Sequence, residues 1–354
     1  MGICILDYVK VWSIAMKIIE DSFIFTVFVI FCVGSGLWGD STCCEKVNID
    51  PSIVEVTKIW DEAPHNAFTD LIRFNEKWYC TFREADSHAG GKDGKIRVIV
   101  SEDGNKWSSS ALLTEEGVDL RDPRMSITPD GKLMLVMGGS VYDGKKFISR
   151  QPHVAFSKDG CDWTPTKKIL SEGDWLWRVT WYKAKAYGVS YKTEPEQDWS
   201  LTLFTTEDGL KYDEICKLDV PGNANETTLR FWPSGEMIAL VRREGDNKKA
   251  WIGSSKAPYT KWNWNETEHQ IGGPNFIILP DGKMYAGGRN YIDPVSTMIG
   301  TLTPDSYEPI ITLPSGGDTS YPGMVWHENL LWVSYYSSHE EKTCIYMAKI
   351  KLSQ

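Results

Sequence analysis

Residues 122–139 read DPRMSITPDGKLMLVMGG: an apolar strand, a polar turn at Asp130-Gly131 and a second apolar strand, which is the pattern of a β-hairpin. The pattern recurs in five further segments, which begin at Ala67, Trp175, Glu226, Gly273 and Ser320. Successive turns are 55, 53, 51, 47 and 47 residues apart. Such regular spacing predicts an all-β fold, a six-bladed β-propeller with four strands in each blade.

Composition agrees with this prediction and excludes one class of partner. The 16 Trp, 15 Tyr, 30 Gly and 17 Pro are typical of short aromatic strands joined by tight turns. A formal net charge of −10 excludes a nucleic-acid backbone as a partner, because such binding depends on clustered Lys and Arg. An anionic small ligand stays compatible, since a few arginines create a local positive field.

The N-terminal segment predicts export. Lys17 precedes the apolar run 23–33, and small residues follow it. This pattern indicates a signal peptide, or an uncleaved N-terminal anchor, within residues 1–40, followed by a propeller domain over residues 45–354. The protein is then secreted, periplasmic or at the cell surface, and no later apolar run is long enough to cross a membrane.

Six cysteines follow that segment, and their even number in an oxidising compartment predicts one or two disulfides. Cys80 and Cys344 lie in strand-like runs and fit buried free thiols equally well. His65, His88 and His327 show no metal-ligand spacing, so neither a metal nor an organic cofactor is predicted.

A second repeat lies between the hairpins. Residues 101–107 (SEDGNKW), 157–163 (SKDGCDW) and 206–212 (TEDGLKY) share the form S/T-x-D-G-x-x-aromatic, and a degenerate fourth copy runs from Ser255 to Trp262. The Asp and the hydroxyl bond the backbone of the turn, Gly takes positive φ, and the aromatic ring packs beneath. With these turns the chain resembles the sialidase superfamily over residues 50–352, and the resemblance implies Asp-box turns between the outer strands of a six-bladed propeller.

Counting from the turns brings five side chains together. Arg83, Arg242 and Arg289 each stand eight residues after the reference residue of their turn. Glu226 and Tyr321 stand eight and seven residues before theirs. Because the start of the first strand lies beside the end of the second, all five should project from one end of the propeller.

The resemblance implies roles for these residues. Tyr321 is the nucleophile, Glu226 is the base that takes its proton, and Arg83, Arg242 and Arg289 hold a substrate carboxylate by bidentate hydrogen bonds. A neutral phenol suits an anionic sugar because a carboxylate nucleophile would repel it. Arg243 should point to the opposite strand face.

The sequence departs from the family in the first blade. Where aromatic-Arg-Ile-Pro is expected, the strand reads Phe68-Thr69-Asp70-Leu71, so the first arginine of the triad is absent. Either Arg83 supplies a guanidinium from the adjacent strand end, or the substrate lacks a sialic-type carboxylate, or activity has been lost.

Further site residues follow from spacing. Family spacing favours Asp93 as the acid/base, with Asp86 as the competing residue and a turn-forming Asp-Gly as the structural alternative. Arg121 and Asp122 begin the first strand of the second hairpin, where they either line the pocket or form an internal ion pair. Arg178 either stacks on a sugar or fills the axis.

These residues predict a secreted retaining exo-glycosidase that removes a terminal anionic sugar, such as a sialic acid, from a glycan or glycoconjugate. Two alternatives stay open. One is a carbohydrate-binding propeller without turnover, which the missing arginine favours. The other is a glycosidase that uses the same rim on another sugar.

Overall fold

The computed structural model describes residues 51–193, 199–245 and 247–352, in which every regular element is a β-strand. The strands form six antiparallel sheets of four, so the predicted all-β, six-bladed propeller is confirmed. No helix able to span a membrane is found in these ranges. The predicted signal peptide or anchor lies outside the described residues.

The strands follow the chain, blade by blade, from the axis outward. Blade 1 contains β2 (His65–Phe74), β3 (Lys77–Ala85), β4 (Lys95–Ser101) and β5 (Ser108–Leu113). Blade 2 contains β6 (Asp119–Ile127), β7 (Leu133–Asp143), β8 (Lys146–Ser157) and β9 (Lys167–Lys168). Blade 3 contains β10 (Trp175–Tyr182), β11 (Lys185–Lys192), β12 (Ser200–Thr206) and β13 (Asp213–Lys217). Blade 4 contains β14 (Ala224–Phe231), β15 (Met237–Arg243), β16 (Trp251–Ser255) and β17 (Asn263–Glu266). Blade 5 contains β18 (Gly272–Ile278), β19 (Met284–Asn290), β20 (Ser296–Leu302) and β21 (Tyr307–Thr312).

Blade 6 closes the ring. It contains β22 (Thr319–His327), β23 (Leu330–Ser337), β24 (Cys344–Lys351) and, as its outermost strand, β1 (Ser52–Trp60). β1 pairs antiparallel with β24 from Ser52 opposite Lys351 to Trp60 opposite Ile345. Joining the first and last strands in one sheet removes exposed edges.

The three heptad turns repeat one hydrogen-bond pattern. In the first, the Ser101 hydroxyl accepts the Gly104 amide at 2.8 Å, and Asp103 accepts the amides of Asn105 and Lys106 at 2.8 and 3.0 Å. The backbone donors of Lys106 and Asn105 lower the pKa of Asp103 to about 2. The turns at 157–163 and 206–212 make the same bonds. Each turn is therefore stabilised by its own side chains.

The described cysteines form no disulfide, and Arg178 is held in an ion pair at the propeller axis. Cys80, Cys161, Cys216 and Cys344 are free thiols, which favours the free-thiol alternative for Cys80 and Cys344, both of which are buried. Arg178 fills the axis, where its Nη1 donates to both carboxylate oxygens of Asp70 at 3.0 and 2.9 Å.

We expect Gly160→Ala to destabilise the propeller more than Gly131→Ala. Both glycines have a left-handed backbone, with φ of 79° and 75°. A Cβ at Gly160 would lie 2.2 Å from Cε1 of Tyr79, whereas nothing lies within 4 Å of one at Gly131. The backbone alone costs about 1–2 kcal/mol, and the clash in the core adds about 1–3 kcal/mol. Urea unfolding measures both losses, and equal losses would contradict the packing argument.

Candidate active site

A two-residue irregularity in each innermost strand builds the site. The register of every first hairpin shifts at the same place, as between Arg121 and Arg124, Ala224 and Thr227, and Ser320 and Gly323. Such bulges re-aim side chains that a regular strand would place on its faces. The residues inside these three bulges include Asp122, Glu226 and Tyr321.

Tyr321 and Glu226 form a short, buried hydrogen bond. The Tyr321 hydroxyl donates to Oε1 of Glu226 at 2.6 Å. Oε2 of Glu226 accepts Arg242 Nη1 at 2.7 Å and the Gly273 amide at 2.9 Å. Arg242 Nη1 also lies 3.4 Å from the Tyr321 hydroxyl. Of the five residues that the hairpin register brought to this end, these three are in direct contact.

The electrostatics of the pair suit a neutral phenol beside an ionised carboxylate. Burial, reinforced by the charge of Glu226, holds the pKa of Tyr321 well above its usual value. Burial alone would raise the pKa of Glu226, but the Arg242 charge and the hydrogen bonds from Tyr321, Arg242 and Gly273 hold it below its usual value. Glu226 is therefore an ionised acceptor for the Tyr321 proton.

The position of the Tyr321 ring depends on its neighbours. Its backbone has φ of 53°, which is uncommon for an aromatic residue. Such strained conformations are found most often at functional sites. A Cβ on Gly273, whose φ is 61°, would lie 2.7 Å from Cδ2 of this ring. The rings of Phe68 and Trp177 pack at centroid distances of 5.1 and 5.3 Å. The phenol is therefore fixed by packing as well as by hydrogen bonds.

A cavity of about 270 Å³ opens onto this pair. Its volume is close to the lower end of the range for small-ligand sites, about 300–1,000 Å³. Glu226, Tyr321 and Asp122 line it together with Arg121 and Arg150. The rest of the wall is largely aromatic and consists of Phe68, His88, Ser140, Tyr142, Phe147, Trp175 and Tyr191. The surface that these residues expose to the cavity is mostly polar, and carboxylate, hydroxyl and guanidinium groups can hydrogen-bond the hydroxyls of a sugar.

Asp122 is the second carboxylate of this cavity. Its backbone φ is 50°, and its carboxylate accepts no hydrogen bond from the residues that the structure describes. Burial raises the pKa of Asp122 above its usual value, although Arg121 and Arg124 oppose the shift. Two carboxylates whose pKa values are pushed apart are the mark of an acid and a base.

The structure corrects the expectation that Arg83 faces a ligand. The Arg83 side chain is fully buried, and its Nε donates to Asp119 at 2.8 Å. Its Nη1 donates to the carbonyl of Ser87 at 2.8 Å. Arg83 therefore braces the loop after β3 against blade 2 instead of replacing the missing arginine.

Arg289 lies behind the cavity wall. Its Nη2 donates to Asp318 Oδ1 at 3.1 Å and to the Tyr336 hydroxyl at 2.8 Å, and its Nε donates to the Thr319 carbonyl at 2.7 Å. Arg242 is likewise paired, since its Nε donates to Glu244 at 2.5 Å. Each of the three predicted arginines therefore has an acidic partner.

The loop after β3 places its acids away from the reacting pair. Asp93 is exposed and does not line the cavity. Asp86 accepts the Lys92 amide at 3.0 Å and so holds the loop's own turn. The residue of this loop that does line the cavity is His88, whose carbonyl accepts Arg121 Nη2 at 2.7 Å.

Sequence reasoning missed several wall residues. One of them, His88, comes from a loop. Three more, Tyr142, Phe147 and Arg150, come from the long β7–β8 hairpin, and no sequence motif indicates that this hairpin lines the cavity.

Arg243 donates to Glu266 at 2.8 Å, away from the cavity, as predicted. A larger groove of about 830 Å³ lies between heptad turns of blades 2 and 3 and contains none of the proposed catalytic residues.

Two glycosylation sequons give a prediction about accessibility. The Asn225 side chain is buried and its Oδ1 accepts the Glu226 amide at 2.7 Å, whereas Asn265 is exposed on β17. A glycan on Asn225 would prevent this packing. We expect protein secreted from a glycosylating host to carry a glycan on Asn265 alone, as mass spectrometry of its peptides will show. An intact glycan on Asn225 in folded protein would argue against a pocket here.

Comparisons with known proteins identify the fold. No family model matches the sequence, and no curated protein matches it. A protein of unknown function from Dyadobacter fermentans has a TM-score of 0.77 at 19% identity, over 85% of this chain and 99% of that one. The α-L-arabinofuranosidase Arb93A from Fusarium graminearum has a TM-score of 0.67 at 13% identity, over 84% of this chain and 97% of that one.

Trypanosoma rangeli sialidase has a TM-score of 0.64 at 10% identity, over 86% of this chain. The match spans 58% of the sialidase's own length. At these identities the comparison shows architecture alone. The chain has the six-bladed β-propeller fold found in sialidases and in this arabinofuranosidase.

Proposed function

We propose that this protein is a retaining exo-glycosidase that removes a terminal sugar from a glycan. The observation that carries the proposal is the 2.6 Å hydrogen bond from the Tyr321 hydroxyl to Glu226 at a cavity that also contains Asp122. In this proposal Tyr321 is the nucleophile, Glu226 is the base for its proton and Asp122 is a separate acid.

The reaction proceeds in two displacements. Tyr321 Oη attacks the anomeric carbon while its proton passes to Glu226, and protonated Asp122 gives its proton to the departing glycosidic oxygen. Water then attacks the same carbon, Asp122 accepts a proton from that water, and Tyr321 Oη leaves and takes its proton back from Glu226. Two inversions at one carbon give net retention.

The charged residues in and near the cavity wall indicate which class of sugar could bind. Because Arg83, Arg242 and Arg289 are paired with acids, they give limited support to a sialic-type carboxylate site. Arg121 and Arg150 also have partners, since Arg121 lies 4.0 Å from Asp119 and Arg150 donates to the carbonyls of Gly173 and Tyr191. They nevertheless line the cavity itself, and their charge supports an anionic sugar held from the blade 2 side. We therefore propose an anionic terminal sugar as the preferred substrate class. We also propose that the protein is exported and meets its glycan outside the cytoplasm.

A carbohydrate-binding propeller without turnover is the second candidate. It is favoured by the absent first arginine and by the buried Arg83–Asp119 pair. This candidate predicts glycan binding at the same cavity and no hydrolysis.

The test is hydrolysis of a panel of aryl glycosides that includes sialosides, uronides, arabinofuranosides and neutral hexosides. We expect turnover of at least one anionic glycoside. NMR of the first-formed product should show that the anomeric configuration is retained. Turnover of neutral glycosides alone would keep the glycosidase and overturn the anionic substrate. Binding on a glycan array with no hydrolysis of the panel would favour the binding module.

A further inference from the structure

Two imidazoles and a carboxylate meet at the rim of the cavity. Asp318 Oδ2 lies 3.0 Å from His65 Nε2 and 2.7 Å from His88 Nδ1. The three atoms all lie within 4.8 Å of one another. They come from β2, from the loop after β3 and from the residue before β22, so sequence spacing gave no sign of them.

The surrounding structure fixes two of the three groups. Asp318 Oδ1 accepts Arg289 Nη2 at 3.1 Å and the Tyr336 hydroxyl at 2.9 Å, which leaves Oδ2 directed at the imidazoles. His65 is buried at the start of β2. Outer hydrogen bonds of this kind orient the ligands of metal sites.

His88 is the adjustable member. Its side chain is 53% exposed, while its carbonyl is held by Arg121 Nη2. Ligands around a tetrahedral zinc ion at 2.0–2.2 Å lie about 3.3 Å apart. The observed separations from Asp318 need to widen by a few tenths of an ångström, and the half-exposed side chain of His88 has room to turn by that amount.

We propose that His65, His88 and Asp318 bind a divalent transition-metal cation of the zinc class, with water in the remaining position. Two imidazoles and one carboxylate favour zinc over magnesium or calcium, which prefer oxygen ligands. The exposed faces of His88 and Asp318, 53% and 25%, provide the entry path and the water site. Bound metal holds the loop after β3 to blade 6, beside the cavity that His88 lines.

The test is equilibrium dialysis of the tag-free propeller against ZnCl₂ at pH 7.5, with bound zinc measured by mass spectrometry. A Cys161→Ser background removes an exposed free thiol, because thiolates are themselves zinc ligands. We expect close to one zinc per chain, no comparable binding of MgCl₂, and for His88→Ala an affinity lower by more than about 100-fold, since even outer-shell changes cost 10–100-fold.

His327→Ala is the matched control, because His327 ends the strand that Asp318 precedes and lies at its opposite end. This variant should bind zinc like the parent. Absence of zinc from the parent, or equal binding by the parent and His88→Ala, would overturn the proposal and leave a hydrogen-bonded His-Asp-His group. No glycoside enters the experiment, so failure of the proposed glycosidase activity leaves its result unaffected.

Discussion

Tyr321→Phe is expected to lower kcat/KM on a glycoside that the wild type cleaves by at least about 1,000-fold, because it removes the attacking oxygen. The ring contacts with Phe68 and Trp177 stay in place. Loss of a hydrogen bond to a charged group costs at most about 1.5–3 kcal/mol of folding free energy. Steady-state kinetics and urea unfolding of the same preparation measure the two effects separately.

Tyr142→Phe is the control for this variant. It removes a hydroxyl from the same cavity wall without touching the Glu226 hydrogen bond. We expect its kcat/KM to stay within about 10-fold of wild type, since no catalytic step uses that hydroxyl. Full activity of Tyr321→Phe would leave the cavity in place as the site and remove Tyr321 as its nucleophile.

Asp122→Asn should lower kcat/KM by about 100- to 10,000-fold on substrates with a poor leaving group, the usual contribution of general acid catalysis. A dinitrophenyl glycoside needs no protonation on departure and should lose far less. Asp93→Asn is the matched control, because Asp93 is exposed and outside the cavity. An equal loss from Asp93→Asn would return the acid role to that loop.

The pH profile follows from the two carboxylates. Glu226 must be ionised, and because its pKa is lowered, activity should fall only when the pH drops below the usual glutamate range. Asp122 must be protonated, and because burial raises its pKa, activity should persist above the usual aspartate range and fall as the pH rises through the raised value. The Asp122→Asn variant should therefore lose the high-pH limb and keep the low-pH limb.

The fold and the central pair could be predicted because both depend on local rules. Hairpin turns fix strand register, and register placed Glu226 and Tyr321 at the same end of two innermost strands, in blades 4 and 6. Register gave only this shared position, whereas the roles of Tyr321 and Glu226 as nucleophile and base were implied by the family resemblance.

The surroundings of Arg83 and Arg289 could not be predicted because their acidic partners are distant in sequence. Asp119 is 36 residues from Arg83, and Asp318 is 29 residues from Arg289. Only the folded blades bring these acids close enough to pair with the guanidinium groups. For Asp122 the sequence left open whether it lines the pocket or forms an internal ion pair. Its φ of 50° in a bulge aims the carboxylate into the cavity, and sequence gives no sign of that conformation.

Blade 6 combines the first and the last strands of the propeller, so it can be completed only at the end of synthesis. Tyr321 lies on β22, in the sheet that β1 and β24 complete, whereas Glu226 lies in blade 4. Blades 1 to 5 leave the ribosome before the eight residues of β24 exist, and until then β1 has no partner. The blade that carries Tyr321 is consequently complete only after β24 has been made. Under the proposed function, a chain that ends before β24 should therefore contain Glu226 and Asp122 but lack glycosidase activity.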